Sequence, residues 1–236
     1  SSDLIQVPMA DGGEGTMQSL VDATGGNIYS LNVVGPLGNE VKAFYAILGD
    51  GETGMLEMAS ASGIQLVNID KRNPLITTTY GTGQLIKACL DYGVKKLLIG
   101  LGGSSTNDGG AGVIQALGGK LTDEKGNELG FGGGELGRLS TIDLTGFDPR
   151  LKNIIVEVAC DVNNPLCGKN GASSIFGPQK GATIQMIEEL DVNLRHYSRI
   201  VKEQLGKDVL DVPGSGAAGG LGEIGRASCG KSVWRV

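Results

Sequence analysis

Residues 100 to 112, GLGGSSTNDGGAG, follow directly on the apolar run Leu97-Leu98-Ile99 and put six glycines into thirteen positions. Such a segment can bury no core of its own. Placed after a strand and ahead of a short helix through Val113, Ile114 and Leu117, it reads as the turn of a strand–loop–helix unit. Backbone N–H groups at a helix start carry partial positive charge and attract anions, and glycine lets a phosphate approach them closely. Gly102, Gly103, Ser104, Ser105, Thr106 and Asn107 are therefore candidate phosphate or substrate contacts. The string fits neither G-x-G-x-x-G, because Ser105 interrupts it, nor G-x-x-x-x-G-K-[ST]. The competing reading is a capping turn, with Asn107 or Asp108 as the cap.

Glycine recurs along the whole chain, 41 of 236 residues, more than twice the usual ~7%. That density suits tight turns and close backbone approach to a ligand, since it costs conformational entropy elsewhere. The 20 basic and 26 acidic residues and a pI near 4.9 give no basic footprint for nucleic acid. Four cysteines without Cys-x-x-Cys spacing, and one histidine, make no structural zinc site and read as reduced thiols of a cytoplasmic protein. No apolar run reaches the ~20 residues of a membrane span, and no leader pattern opens the chain. Starting without Met on a strand-like LIQVP, it reads as cut.

Leu4 to Pro8 reads as a strand, Asp11 to Gly13 as a glycine turn, and about Glu14 to Ala23 as a helix. Asn27–Val34, Val41–Leu48 and Thr53–Met58 read as a small antiparallel or mixed patch. A helix over Thr82 to Tyr92 feeds the buried strand VKKLLIG. Residues 123 to 150, glycine-rich and polar, read as a hairpin tip and a long surface excursion. NIIVEVAC is a further strand, and an irregular but ordered stretch follows it. The 3.6 period through Ile187, Leu190, Leu194, Tyr197, Val201 and Leu205 predicts a helix over about Thr183 to Leu205.

Three more features bear on chemistry. Asp11, in ADGGEGT, can hold magnesium or merely cap a helix. Asp161, Lys169 and Lys180 stand among the glycines of CDVNNPLCGKNGASSIFGPQKGA, where a lysine can offset phosphate or carboxylate charge. His196, off the apolar stripe, reads as solvent-facing. GRASCGKS, residues 225 to 232, matches the P-loop pattern, but only Val233 to Val236 remain to build the helix it requires, so the match reads as accidental.

Taken together, PMADGGEGT (8–16), VVGPLG (33–38), EMASASG (57–63), RNPLITTTYGTGQLI (72–86), the 100–112 loop, the 160–182 stretch and PGSGAAGGLG (213–222) resemble the type 1 bacterial glycerate kinases, the glycerate 2-kinase group. The resemblance covers about residues 4 to 222. It implies ATP- and magnesium-dependent phosphorylation of D-glycerate, most simply to 2-phosphoglycerate. It also implies an α/β fold: a Rossmann-like domain interrupted by a second α/β domain with a mixed sheet, the site between them. Members are longer, so residues 1–26 are expected to be a β-α remnant of the first domain, 27–222 the inserted domain, and 223–236 an atypical tail of a truncated or frame-shifted product.

Phosphoryl transfer asks a protein for positioning and charge neutralisation. Within the resemblance, Asp108 or Asp161 is expected to accept the hydroxyl proton, the 102–107 loop to cradle phosphate, Lys180 to balance charge, and Asp11 to help hold Mg²⁺. The alternatives are an incompetent fragment that only binds small anions, and a nucleotide hydrolase resting on residues 225 to 232. Oligomeric state is left open.

Overall fold

A computed structural model describes residues 15–210 and 212–223. The strand expected at Leu4 to Pro8, Asp11 and the GRASCGKS match lie outside the described residues.

Helix α1 (Thr16–Thr24) leads into three strands, β1 (Asn27–Val34), β2 (Glu40–Ile47) and β3 (Thr53–Glu57), each pairing antiparallel with the one before. Asp50 closes the β2–β3 turn by accepting from Glu52 N, Thr53 N and Thr53 Oγ1. Four-residue α2 (Ala59–Ser62) follows, then α3 (Tyr80–Tyr92), β4 (Lys96–Gly100) and α4 (Ala111–Ala116). β4 lies parallel to β3, as the intervening helix requires. The five-stranded sheet ends on β7 (Ile155–Ala159), also parallel, giving the order β1-β2-β3-β4-β7. The fold is thus α/β with a mixed sheet.

Strand alternation sorts the core. Leu56, Leu97, Ile99, Val156 and Val158 join the large cluster with Leu85, Ile86, Cys89 and Leu90 of α3. Met55 and Leu98 face the opposite side, where Met17 and Val21 of α1 pack with Ala46 and Leu48. Burial pushes the Cys89 thiol up to about 12, so it serves packing rather than chemistry.

Two expectations change. Residues 123–150 are not a surface excursion. β5 (Lys120–Thr122) and β6 (Thr141–Asp143) pair antiparallel, and Leu129, Leu136, Leu139 and Ile142 are buried in the large cluster. The glycines mask this by diluting the apolar pattern. The 161–182 stretch, expected to be irregular, contains α5 (Ala172–Phe176) and a 3₁₀ turn over Pro178–Lys180. The last long helix, α6 (Ile184–Leu205), matches its period closely, with Thr183 capping Met186 N at 3.2 Å.

The register brings the carboxyl ends of the three parallel strands level: Glu57 opposite Gly100, and Gly100 opposite Ala159. In open α/β sheets ligands bind beyond such ends. The loops that start there, after Glu57, Gly100 and Ala159, carry three of the strings picked out above.

Candidate active site

A cavity of about 220 Å³ lies beyond the ends of β4 and β7. Gly102, Gly103 and Ser104 form one wall, Cys160 and Asp161 a second, Phe176 and Gln179 a third, and Ala217 with Ala218 close it. Asp161 is exposed, with its carboxylate at the rim. The cavity is small, partly polar, and built from backbone segments far apart in sequence.

The 102–108 loop divides in two at this wall. Its first half faces the cavity. Its second half turns inward: Ser105, Thr106, Asn107 and Asp108 are buried to 2% exposure or less. Ser105 Oγ donates to Ser62 O at 2.9 Å, and Asn107 Nδ2 to Ser173 Oγ at 3.0 Å. Thr106 Oγ1 and Asn107 Oδ1 have no partner among the described residues. Ser105 and Asn107, both expected to contact phosphate, thus each bond to protein through one side-chain atom.

Asp108 is likewise engaged by protein groups. Its carboxylate accepts from Thr79 N (2.8 Å), Thr79 Oγ1 (2.9 Å), Gly110 N (3.1 Å) and Gly112 N (3.3 Å). Thr79 Oγ1 in turn accepts from Val113 N at 3.2 Å. Two N–H groups at the start of α4, those of Gly110 and Gly112, are thus engaged by the protein's own carboxylate. Burial raises the Asp108 pKa, and its four donors oppose that shift. Four donors and no solvent contact describe a brace joining the starts of α3 and α4.

Lys180 is 1% exposed. Its Nζ donates to Ser104 Oγ at 2.8 Å and to Thr106 O at 2.6 Å, gripping the loop from behind. Desolvation lowers its pKa to about 7, against the opposing pull of Asp108. Lys180 therefore acts on the loop and does not line the cavity. The lysine expected beside it, Lys169, is exposed and away from the cavity walls.

The segment that closes the cavity lies within PGSGAAGGLG (213–222), a string of the resemblance to which the sequence reading attached no site role. Ala218, Gly219 and Gly220 adopt left-handed backbone in succession (φ 52°, 69° and 99°). Gly219 O accepts from Gly109 N at 2.9 Å, locking this turn onto the 106–109 backbone. A Cβ on Gly219 would strike Thr106 O and the Cα of Asn107. Gly219→Ala should therefore destabilise by at least about 1–2 kcal/mol, combining left-handed strain with the clash. Urea unfolding checks this; an unchanged midpoint would mean the turn does not press on the loop. The signal was present in the run GAAGG, since consecutive glycines often mark positive φ. Glu57 was also missed: it is 8% exposed at the end of β3 and accepts from Met17 N at 2.8 Å, anchoring α1 over the strand ends.

His196 is a correction. It is half-buried, and Nε2 lies 2.6 Å from Leu139 O while Arg199 Nη2 approaches Nδ1 at 3.2 Å. The ring thereby ties α6 to residue 139. A recess of about 530 Å³ adjoins it, but Arg138 is paired with Asp123 and Glu135, and Arg199 with Glu203.

A family model described as "Glycerate kinase family" matches residues 1–233. The chain is 58% identical over 221 residues to a glycerate kinase of Bacillus subtilis, covering 94% of this chain and 58% of that one. It is also 58% identical over 218 residues to a glycerate 2-kinase of Escherichia coli, with 92% and 57% covered. The crystal structure of a candidate glycerate kinase 2 from Salmonella typhimurium LT2 superposes with a TM-score of 0.94 at 53% identity, covering 97% of this chain and 61% of that one. The chain thus spans somewhat more than half the length of the relatives it matches. With the strand-end cavity and these matches in agreement, the chain belongs to the glycerate kinase family.

Proposed function

We propose that the cavity receives D-glycerate for phosphorylation by ATP, giving 2-phosphoglycerate. The observation that carries this reading is the meeting of one exposed carboxylate, Asp161, with the Gly102–Gly103–Ser104 wall in a space suited to a three-carbon acid. Asp161 is the general base: at the rim, it can reach a substrate hydroxyl and accept its proton as the oxygen attacks phosphorus. The glycine wall admits anionic oxygens close to backbone, with Ser104 adding a hydroxyl. Asp108 and Lys180 hold that wall in place.

No group of three His, Cys, Asp or Glu that could hold a metal occurs among the described residues. Magnesium is usually held by one or two carboxylates with phosphates and water; Asp11 is our proposed protein ligand, on sequence grounds. When bound, the ion neutralises phosphate charge. Among the described residues no helix is long and apolar enough to cross a membrane, and the setting we propose is the cytoplasm.

Coupled measurement of ADP release by the purified chain tests this. Release that depends on D-glycerate and yields 2-phosphoglycerate is expected. Binding of D-glycerate without ADP release would favour the anion-binding alternative, and ATP hydrolysis indifferent to D-glycerate would contradict the reading.

A further inference from the structure

Lysine and arginine are absent from the described residues lining the cavity, an unusual wall for an anionic substrate. A buried cation, Lys180, stands one hydrogen bond behind it. Ser104 lines the cavity, is 7% exposed, and accepts from the fully buried Nζ of Lys180 at 2.8 Å. A serine hydroxyl has one proton and two lone pairs, whereas an ammonium group has only donors. While Lys180 is charged, the Ser104 proton cannot point towards it. We propose that Lys180 is a positioning residue that turns the Ser104 hydroxyl proton into the cavity, making Ser104 the donor to an anionic oxygen of the substrate. This rests on the reading that the cavity takes an anionic acid.

The arrangement also passes Lys180's charge forward. Its second hydrogen bond, to Thr106 O at 2.6 Å, fixes the ammonium between side chain and backbone of the same loop. A hydroxyl polarised by a charged donor is itself a stronger donor. Three other charged groups flank this region. Asp108, on the loop, favours the charged lysine. Arg72 donates to Gln179 O at 3.2 Å from outside, and Asp161 stands across the cavity.

The consequence is a pH dependence with a fixed sign. Desolvation brings Lys180 to about 7. Above that, the neutral amine offers a lone pair, the Ser104 proton turns back to it, and the cavity loses both a donor and the charge behind it. Anion affinity should fall as pH rises through about 7.

Calorimetric titration tests this with two probes whose own charge is constant from about pH 6 to 9, D-glycerate and sulfate. Affinity of the unaltered chain should drop about tenfold or more across that range. Ser104→Ala and Lys180→Met should each bind about ten- to a hundredfold more weakly at pH 6, the range for hydrogen bonds to charged groups, with a flattened pH profile. The double variant should be no weaker than either, because the two residues act as one unit. Circular dichroism and thermal melts establish that each variant is folded; Ser104→Ala alone keeps the test decisive if Lys180→Met fails. Additive losses, or an unflattened profile in Ser104→Ala, would overturn the inference. Sulfate showing the expected pattern while D-glycerate does not bind would support the inference and defeat the proposed substrate. Failure of both probes to bind would overturn both.

Discussion

Asp108→Asn should lower stability by about 3–5 kcal/mol, the range for removing one member of a buried charged arrangement. The reason is local. The carboxylate accepts from three backbone N–H groups and the Thr79 hydroxyl. An asparagine NH₂ brought to that position turns two donors towards groups that are themselves donors. Lys180 also loses the negative charge that favours its ammonium form. Urea denaturation, with the midpoint falling at constant m-value, measures the effect. A variant of unchanged stability but abolished turnover would contradict the bracing role and return Asp108 to the chemistry.

Asp161→Asn should do the reverse. Removing a general base typically costs about 10²–10⁴ in rate, while an exposed surface substitution stays within about 0.5 kcal/mol in stability. Asp161 is exposed at the cavity rim. Steady-state kinetics should therefore show kcat collapsing with KM for D-glycerate little changed, and the urea midpoint should hold. Near-normal kcat would remove Asp161 as the base. The two aspartates, equivalent candidates in the sequence, are separated by this pair of measurements.

What was legible in the sequence follows from which signals are local. The helices α3 and α6 and the apolar Leu97-Leu98-Ile99 run are short-range patterns, and each appears where it was expected. The 100–112 segment was recognisable as a turn between strand and helix. Which way its side chains point was not. Both readings, anion cradle and self-capped turn, use the same residues, and the contacts that orient them come from Thr79, 29 positions before Asp108, and from Lys180, 72 positions after it. Packing of Leu129, Leu136 and Leu139 into the core was likewise hidden, because the cluster they join includes Leu194, Tyr197 and Val201 of α6, far along the chain. The closing turn at Ala218 is a case of strain accepted for position: a non-glycine residue held left-handed on the cavity wall.

The most direct test is a crystal structure of the chain with D-glycerate and a non-hydrolysable ATP analogue. The account predicts the acid seated between Asp161 and the Gly102–Gly103–Ser104 wall, one hydroxyl within hydrogen-bond reach of the Asp161 carboxylate, and Ser104 Oγ on an anionic oxygen. Well-defined density for the acid elsewhere, with this cavity holding only water, would contradict it.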